Sequence, residues 1–339
     1  MATSSTDSTH PETSDAGSEP VQVGRFTVLS TFGTDATGLV FRARDEQERA
    51  VAIMVMPRRY ADDADFVERF RREVTAMSAL EHPTVVAIRD VGDYQGCPYV
   101  AMDDVRGKTL REHIDDGRLS LREIRAIAIK LADGLASAHA AGVVRREFMP
   151  EHIGVTDEGD VKLFDPGLAT LMPWIGDDYP TGDVPLSVKS LAQSAAVAGT
   201  ASYVAPEQAR GETVDFRADQ FVFGAILYEL LSGHAPFKRD TADDTMAAIA
   251  QARPTPIRER VRELPDEFAD IVERCLIRDA AGRYERTEEL VEALRSIDPT
   301  SLPDAFVRSG DDRGYQLWIV IAFIIALIVA AVALVLTDR

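Results

Sequence analysis

The hydrophobic pattern of the chain changes near residue 110, from short apolar runs to helical spacing. Before this point the β-branched runs "RFTVLSTFG", "GLVFRARD", "RAVAIMVM" and "CPYVAM" are interrupted by one amphipathic stretch, "DFVERFRREVTAMSAL". Such runs predict strands, and the amphipathic stretch predicts one helix. After this point apolar residues recur at helical spacing in "LREIRAIAIKLADGLASAHAAG", "RADQFVFGAILYELLSG" and "DEFADIVERCLIRD". The pattern therefore predicts a small sheet with one helix, followed by a mainly helical region.

A third pattern is the uncharged run from Leu317 to Leu336, "LWIVIAFIIALIVAAVALVL". About 20 residues at a rise of about 1.5 Å match a hydrocarbon core of about 30 Å, so we interpret the run as a transmembrane helix. A buried core helix is the alternative, but such helices carry polar residues on one face. Arg308 and Arg313 before the run outnumber Arg339 after it, which favours the N-terminal side being inside.

The first twenty residues, "MATSSTDSTHPETSDAGSEP", contain few apolar side chains and are rich in Ser, Thr, Asp, Glu and Pro. They cannot bury enough surface to offset the entropy of ordering, so we predict a disordered tail over residues 1–24. They also lack the basic start and apolar run of a secretory signal, which favours a cytoplasmic location for the following domain.

Composition excludes some classes of function. The formal net charge of −19 argues against a nucleic-acid partner, because binding the phosphate backbone requires a positive surface. The two cysteines, Cys97 and Cys275, are far apart and have the spacing of neither a disulfide framework nor a zinc site.

Nine motifs follow one another in a familiar order. They are the glycine-rich turn "FGTDATGLVF", the strand "VAIM", a helix carrying Glu73, "AMDDV", "RREFMPEH", "FDPG", "GTASYVAPE", Asp219 in "RADQFVFG" and Arg283 in "RDAAGRY". Over residues 25–297 the chain resembles the bacterial eukaryotic-like (Hanks-type) serine/threonine protein kinases. The resemblance implies an α+β bilobal protein-kinase fold, in which a small β-rich N-lobe and a helical C-lobe enclose a cleft for ATP and two magnesium ions.

The resemblance and the terminal patterns together divide the chain. After the tail, we expect the N-lobe and hinge over 25–105 and the C-lobe over 106–297. A juxtamembrane linker (298–316), the transmembrane helix (317–336) and a short tail (337–339) complete the chain.

The nucleotide contacts implied by the resemblance come from seven positions: Gly33, Gly38, Val40, Ala52, Met54, Asp103 and Val105. At the middle position of the glycine-rich turn, Asp35 either repels the phosphates or points to water as an ordinary turn residue. Met54 occupies the position of the lysine that holds the phosphates and pairs with the helix glutamate, here Glu73. A thioether can do neither, and a role as core filler is the alternative.

The catalytic loop departs furthest from the family pattern. Glu147 stands in place of the aspartate that accepts the substrate proton. Its extra methylene moves the carboxylate by about 1 Å, and such a displacement can cost about 10²-fold in rate. Met149 replaces a cation, and His152 replaces the amide that binds the second magnesium, for which imidazole is a poor ligand. Asp165, the metal-binding aspartate, is retained.

Other positions concern architecture. Glu207 and Arg283 match a buried ion pair of the family, and Asp219 matches the residue that holds the catalytic-loop backbone. Breaking a buried pair of this kind costs about 3–5 kcal/mol, so the fold needs these residues with or without catalysis. Arg145 and Arg146 form a basic pair that binds phosphoserines or aspartates of the predicted activation loop, or makes ordinary surface salt links.

Two hypotheses remain. The first is a single-pass membrane pseudokinase, with a cytoplasmic kinase-like domain that regulates or scaffolds a protein partner in signalling. The second is a weak or atypical ATP-dependent serine/threonine kinase that uses Glu147 as base and Asp165 for a single magnesium. The substitutions at the site argue against ATP and magnesium binding and favour the first hypothesis.

Overall fold

The first lobe is built on a six-stranded antiparallel sheet with the strand order β1-β2-β3-β4-β6-β5. The computed structural model describes residues 21–35, 38–56, 58–145, 148–163, 200–303 and 306. The six strands are β1 (Gln22–Val23), β2 (Phe26–Asp35), β3 (Gly38–Arg44), β4 (Ala50–Val55), β5 (Ile88–Tyr94) and β6 (Cys97–Asp103). The sheet is followed in the chain by the hinge, residues 103–107.

The predicted disordered tail over residues 1–24 ends earlier than expected. Gln22 and Val23 pair with Thr27 and Phe26, and the side chain of Val23 is fully buried. Burial of this one apolar residue offsets the cost of ordering a two-residue strand. Residues 1–20 lie outside the described part of the chain.

Two apolar clusters form the core of the N-lobe, one on each face of β4. Burial alternates along β4, so Val51, Ile53 and Val55 join one cluster, while Ala52 and Met54 pack against the other. This second cluster lies between the sheet and α2 (Ala64–Ser78), which follows the short α1 (Arg58–Ala61). The second cluster comprises Met56, Phe66, Phe70, Val74, Val86, Val100 and Met102.

The second lobe is mainly helical, as the periodicity predicts. A small sheet, β7 (Lys108–Thr109), β8 (Ile153–Val155) and β9 (Val161–Leu163), lies next to the hinge. The helices are α3 (Leu110–Asp116), α4 (Leu121–Ala140), α5 (Pro206–Ala209), α6 (Arg217–Ser232), α7 (Ala242–Gln251), α8 (Ile257–Arg260), α9 (Asp266–Cys275) and α10 (Thr287–Ser296). Short 3-10 turns cover Pro150–His152, Thr200–Tyr203 and Ala280–Gly282.

Helix α6 lies at the centre of this lobe, since every side chain from Ala218 to Ser232 is buried. Its polar side chains are hydrogen-bonded inside the core. Gln220, for example, donates to Oγ1 of Thr287 at 3.1 Å and accepts from the backbone N–H of Tyr284 at 3.2 Å. The helix is therefore a frame on which loops from the rest of the lobe are fixed.

The chain beyond α10 turns back onto the lobe. Leu302 is only 2% exposed and belongs to the C-lobe core, and Phe306 packs against the same core. The guanidinium of Arg122 donates to the carbonyl oxygen of Pro299 at 3.0 Å. The first residues of the predicted linker are thus part of the folded lobe.

The bilobal α+β fold predicted from the sequence is confirmed. Within the described residues, no helix has the length and apolar character needed to cross a bilayer. The run 317–336 lies outside them, so the transmembrane helix stays a prediction.

Candidate functional site

The roof of the cleft between the lobes is formed by strands β3 and β4. Val40 is the register partner of Met54, and Ala52 and Met54 share the face of β4 that looks toward α2. The glycine-rich turn joins β2 to β3 and pairs Gly33 with Val40 and Asp35 with Gly38. The structure therefore brings the predicted roof residues together on two neighbouring strands.

Met54 packs against the apolar cluster between the sheet and α2, whose centre includes the fully buried Phe66 and Phe70. A lysine here would have to leave this cluster to reach a phosphate, whereas a thioether fills it. Glu73, the predicted partner of a lysine at this position, lies within α2. At Met54, where the family pattern has a phosphate-binding lysine, the roof of the cleft is thus continuous with the hydrophobic core of the N-lobe.

The hinge places its acidic side chains in ion pairs. Arg89 binds Asp103 through both carboxylate oxygens, at 2.5 and 2.7 Å, and Arg42 lies 3.4 Å from Oδ1 of Asp104. Val105 packs against the same apolar cluster as Met54. Of the two nucleotide contacts predicted in the hinge, Asp103 has its carboxylate bound by Arg89. Val105 extends the apolar surface to which Met54 belongs.

The catalytic-loop backbone is fixed by Asp219 at the start of α6. Its Oδ2 accepts a hydrogen bond from the backbone N–H of Arg145 at 2.8 Å and lies 2.8 Å from Nε2 of His139. The other ring nitrogen of His139 lies 2.8 Å from Oγ1 of Thr287. Asp219, with no exposed surface, therefore connects α4, the loop and α6.

The interpretation of Arg145 as part of a surface salt link is wrong. The residue is only 4% exposed, and its backbone N–H donates to the buried carboxylate of Asp219 inside the lobe. Arg146 lies outside the described residues, as does the predicted activation loop apart from its end.

The floor of the cleft carries a second methionine at a cation position. Met149 packs against the C-lobe core, and its carbonyl oxygen accepts a hydrogen bond from the backbone N–H of His152 at 2.9 Å. His152 ends the turn Pro150–His152 and is half-buried. Glu147 and Asp165, the predicted base and metal ligand, lie outside the described residues.

The ion pair between Glu207 and Arg283 is present and buried. Two nitrogens of Arg283 donate to the two carboxylate oxygens of Glu207, at 2.7 and 2.8 Å. Arg283 also donates to the carbonyl oxygens of Arg217 and Ile277. These hydrogen bonds satisfy the buried charges and attach α5 to the start of α6 and to the turn after α9.

A second charged network was not predicted from the sequence. Arg111 on α3 donates to Glu151 and Glu229, each at 2.9 Å, and also to the hydroxyl of Tyr203, which in turn donates to Glu229. Burial lowers the pKa of the Arg111 guanidinium, but its hydrogen bonds and the charge of Glu229 outweigh burial and raise it. Burial and the charge of Glu229 raise the pKa of Tyr203.

The network holds four segments together: α3, the turn 150–152, the turn 200–203 and α6. No local pattern signals it, because its members are up to 118 residues apart in the chain. Of the residues in this network, Tyr203 and Glu151 lie in motifs singled out from the sequence, "GTASYVAPE" and "RREFMPEH".

A metal site is not evident in the described part of the chain. There, no three side chains of His, Cys, Asp or Glu are grouped closely enough to hold a metal ion. Positions 54 and 149, where the family pattern has cations, hold methionines that pack against the cores of the two lobes.

Comparisons with known proteins agree with this geometry. The family model described as the protein kinase domain matches residues 26–293. The serine/threonine-protein kinase PknL of Mycobacterium tuberculosis is 34% identical over 283 residues, which cover 83% of this chain and 67% of PknL. A probable serine/threonine-protein kinase of Streptomyces coelicolor is 35% identical over 275 residues, or 79% of this chain and 39% of that protein.

Solved structures agree as well. The kinase domain of PknI from Mycobacterium tuberculosis aligns with a TM-score of 0.61 and 25% identity, covering 83% of this chain and 98% of that domain. A bilobal fold and a cleft of this kind define a protein-kinase domain, and the chain belongs to the protein kinase family. It spans only 38% to 42% of the length of several relatives from Clostridium, Corynebacterium and Bifidobacterium.

Proposed function

We propose that this chain is a membrane-anchored pseudokinase that acts as a regulatory or scaffolding module for a protein partner in signalling. One observation carries the proposal: Met54, at the position of the phosphate-binding lysine, packs into the hydrophobic core of the N-lobe. Met149 repeats the substitution on the floor of the cleft. Two cations are thus replaced by apolar groups, while the buried pair of Glu207 and Arg283 keeps the architecture.

The substitutions affect the chemistry of the site and leave the fold in place, which is what a binding module requires. A fold that still holds its loops presents defined surfaces to a partner, whether or not it transfers phosphate. The net charge of −19 favours proteins rather than nucleic acids as partners.

The membrane anchor is the apolar run 317–336. Since Phe306 packs against the C-lobe, residues 307–316 separate the folded lobe from the run by at most about 36 Å. The domain would therefore stay close to the bilayer, with its surfaces available to other membrane proteins. Deleting residues 317–336 should move the protein from the membrane fraction of cells to the soluble fraction, and retention in the membrane fraction would contradict the anchor.

The binding test is the melting temperature of the full chain in detergent with ATP, in the presence and absence of Mg²⁺. A ligand at about 100 times its dissociation constant stabilises a fold by about 2.7 kcal/mol, or several degrees for a domain of this size. We expect no shift under either condition. A shift that requires Mg²⁺ would contradict the proposal.

The second candidate is a weak kinase that uses Glu147 as base and Asp165 for one metal. It is favoured by the hydrogen bond between Asp219 and the backbone of Arg145, which supports the loop that carries Glu147. Transfer of labelled phosphate from ATP, lost in Asp165→Ala and reduced in Glu147→Gln, would establish this candidate. Absence of transfer in the unmodified chain would remove it.

A further inference from the structure

A cavity of about 530 Å³ opens beside the hinge, and we call it the hinge cavity. Its walls come from Ala50 at the start of β4, from the segment that joins α2 to β5, from the hinge and from the region of β8 and β9. Of the predicted nucleotide contacts, Asp103 and Val105 line it, whereas Val40, Ala52 and Met54 do not. Its volume lies within the range of ligand pockets, so the hinge cavity is a candidate binding site that adjoins the cleft at the hinge.

Two of the acidic groups on its wall are already neutralised. Asp103 is bound through both oxygens by Arg89, and Asp104 lies 3.4 Å from Arg42. A carboxylate paired in this way repels an incoming anion far less than a free one. The third acidic group, Glu158, is exposed on the turn between β8 and β9.

The cations on the wall retain donors. Among the described residues, Lys162 donates one hydrogen bond, to the carbonyl oxygen of Pro83 at 2.6 Å, and an ammonium group has three N–H donors. Arg106 is exposed and makes no ion pair with any described residue. Together with the neutralised aspartates, these two cations make the hinge cavity a site for carboxylates in an otherwise acidic protein.

We propose that the hinge cavity binds the acidic N-terminal segment of this same chain, residues 1–20. The segment contains four carboxylates and neither Lys nor Arg: Asp7, Glu12, Asp15 and Glu19. Its charge complements Arg106 and Lys162. An open cavity lined by several segments of the protein can accommodate a peptide.

The point where the segment joins the fold lies near the cavity. Arg25, four residues after Val21, donates to the carbonyl oxygen of Arg89 at 3.1 Å, and the guanidinium of Arg89 holds Asp103 on the cavity wall. Arg25 is thus linked to the cavity wall through the side chain of Arg89, and a segment of 20 residues reaches up to about 66 Å. A tether of this length keeps the effective concentration of the carboxylates near the millimolar range. Individually weak contacts are then enough to hold the segment in the hinge cavity.

The test is intramolecular cross-linking in the full chain in detergent. A double variant carries Ser14→Cys in the segment and Ala87→Cys on the cavity wall, where Ala87 is exposed. The two natural cysteines are buried and react slowly with the probe, a short bismaleimide. We expect an efficient cross-link at low salt that declines as salt is added.

Charge variants decide the outcome. Adding Arg106→Glu should lower the cross-linking yield about fivefold, and changing the four carboxylates of the segment to amides should have a similar effect. Arg262→Glu, an exposed charge between α8 and α9, is the matched control and should leave the yield unchanged.

Two outcomes would overturn the proposal. The first is a yield that is the same with Arg106→Glu, with the neutral segment and at high salt, which would show proximity without binding. The second is a low yield in all variants while hexaglutamate still protects Ala87→Cys from a maleimide. That result would assign the hinge cavity to acidic segments of other molecules.

Discussion

At position 54 a single side chain decides what the roof of the cleft can hold. The residue lies on the face of β4 that packs against Phe66, Phe70 and the rest of the N-lobe cluster. An ammonium group is stable there only if it leaves the cluster or finds a charged partner, whereas a thioether needs neither. The methionine that adds an apolar contact to the core is thus the same residue that, on the proposed function, removes a phosphate contact.

Met54→Lys is expected to destabilise the protein by about 1–3 kcal/mol and to leave it unable to bind ATP. Burial of the ammonium group is costly, and the second cation position, Met149, remains apolar. Urea unfolding measures the first effect, and the melting temperature with ATP and Mg²⁺ measures the second. Met54→Leu, which keeps the volume and the apolar character, should cost less than about 1.5 kcal/mol. A stable, ATP-binding Met54→Lys variant would contradict this account.

Arg283→Met is expected to lower the free energy of unfolding by about 3–5 kcal/mol, because it leaves the carboxylate of Glu207 buried without its cation. Chemical denaturation in urea provides the measurement. Asp116→Asn removes the exposed ion pair with Lys108 and should change stability by less than about 1 kcal/mol. Equal effects of the two variants would show that water or another group stabilises the carboxylate of Glu207 once Arg283 is replaced.

At the level of the element, capping residues determine where the helices begin. Ser120 accepts a hydrogen bond from the backbone N–H of Glu123, and the Glu123 side chain accepts from the backbone N–H and the hydroxyl of Ser120. Thr109 and Glu112 repeat this arrangement on α3. These reciprocal bonds satisfy N–H groups that the first turn of a helix leaves without partners.

The Ser120 cap makes the stability of α4 sensitive to acid. Hydrogen bonds from the backbone and then the hydroxyl of Ser120 hold the pKa of Glu123 below its ordinary value of 4.5. A carboxyl with a lowered pKa in the folded state stabilises the fold above its unfolded pKa, and this contribution is lost as the pH falls through the folded pKa. Glu123→Gln should therefore destabilise the protein by about 0.3–1.5 kcal/mol at pH 7.

The effect of Glu123→Gln should shrink below pH 4.5, because the parent protein loses the charged cap in the same range. Thermal unfolding of both proteins between neutral and acidic pH would show the two curves converging. Glu292→Gln, on the exposed surface of α10, is a suitable control. A difference that stays constant with pH would mean that the charge of Glu123 plays no part in the cap.

At the level of the whole molecule, the end of the C-lobe is also the start of the predicted connection to the membrane. Leu302 is buried in the C-lobe core, and Arg122 and Arg125 bind carbonyl oxygens of Pro299 and Leu294. A force or a partner acting on the predicted anchor would reach the core of the lobe through the chain that follows Leu302.

Leu302→Ala should lower the free energy of unfolding by about 2–4 kcal/mol, because it leaves a cavity in the core. Urea denaturation of the full chain in detergent measures the change. Ile277→Ala, at a side chain 39% exposed, should cost clearly less and serves as the control. If Leu302→Ala proves as mild as Ile277→Ala, the segment after α10 contributes little to the lobe.

Local sequence patterns determined much of the secondary structure of this protein. Helices α4, α6 and α9 lie within the stretches that the helical spacing marked, and α2 begins one residue before its stretch. Gly233 ends α6 with the positive φ of 75° that favours glycine. The order of motifs was sufficient to indicate two lobes with a cleft between them. Periodicity and turn chemistry act over a few residues, so the sequence carries them directly.

Only the tertiary structure decided which distant residues meet. The sequence left open whether Met54 is a core residue, and the packing of β4 against α2 placed it there. It indicated nothing of the contacts of Arg111 with Glu151 and Glu229, or of the hinge cavity, and it allowed Arg145 to be a surface residue. Such contacts join segments up to 118 residues apart and depend on how helices and strands pack, which no local pattern records.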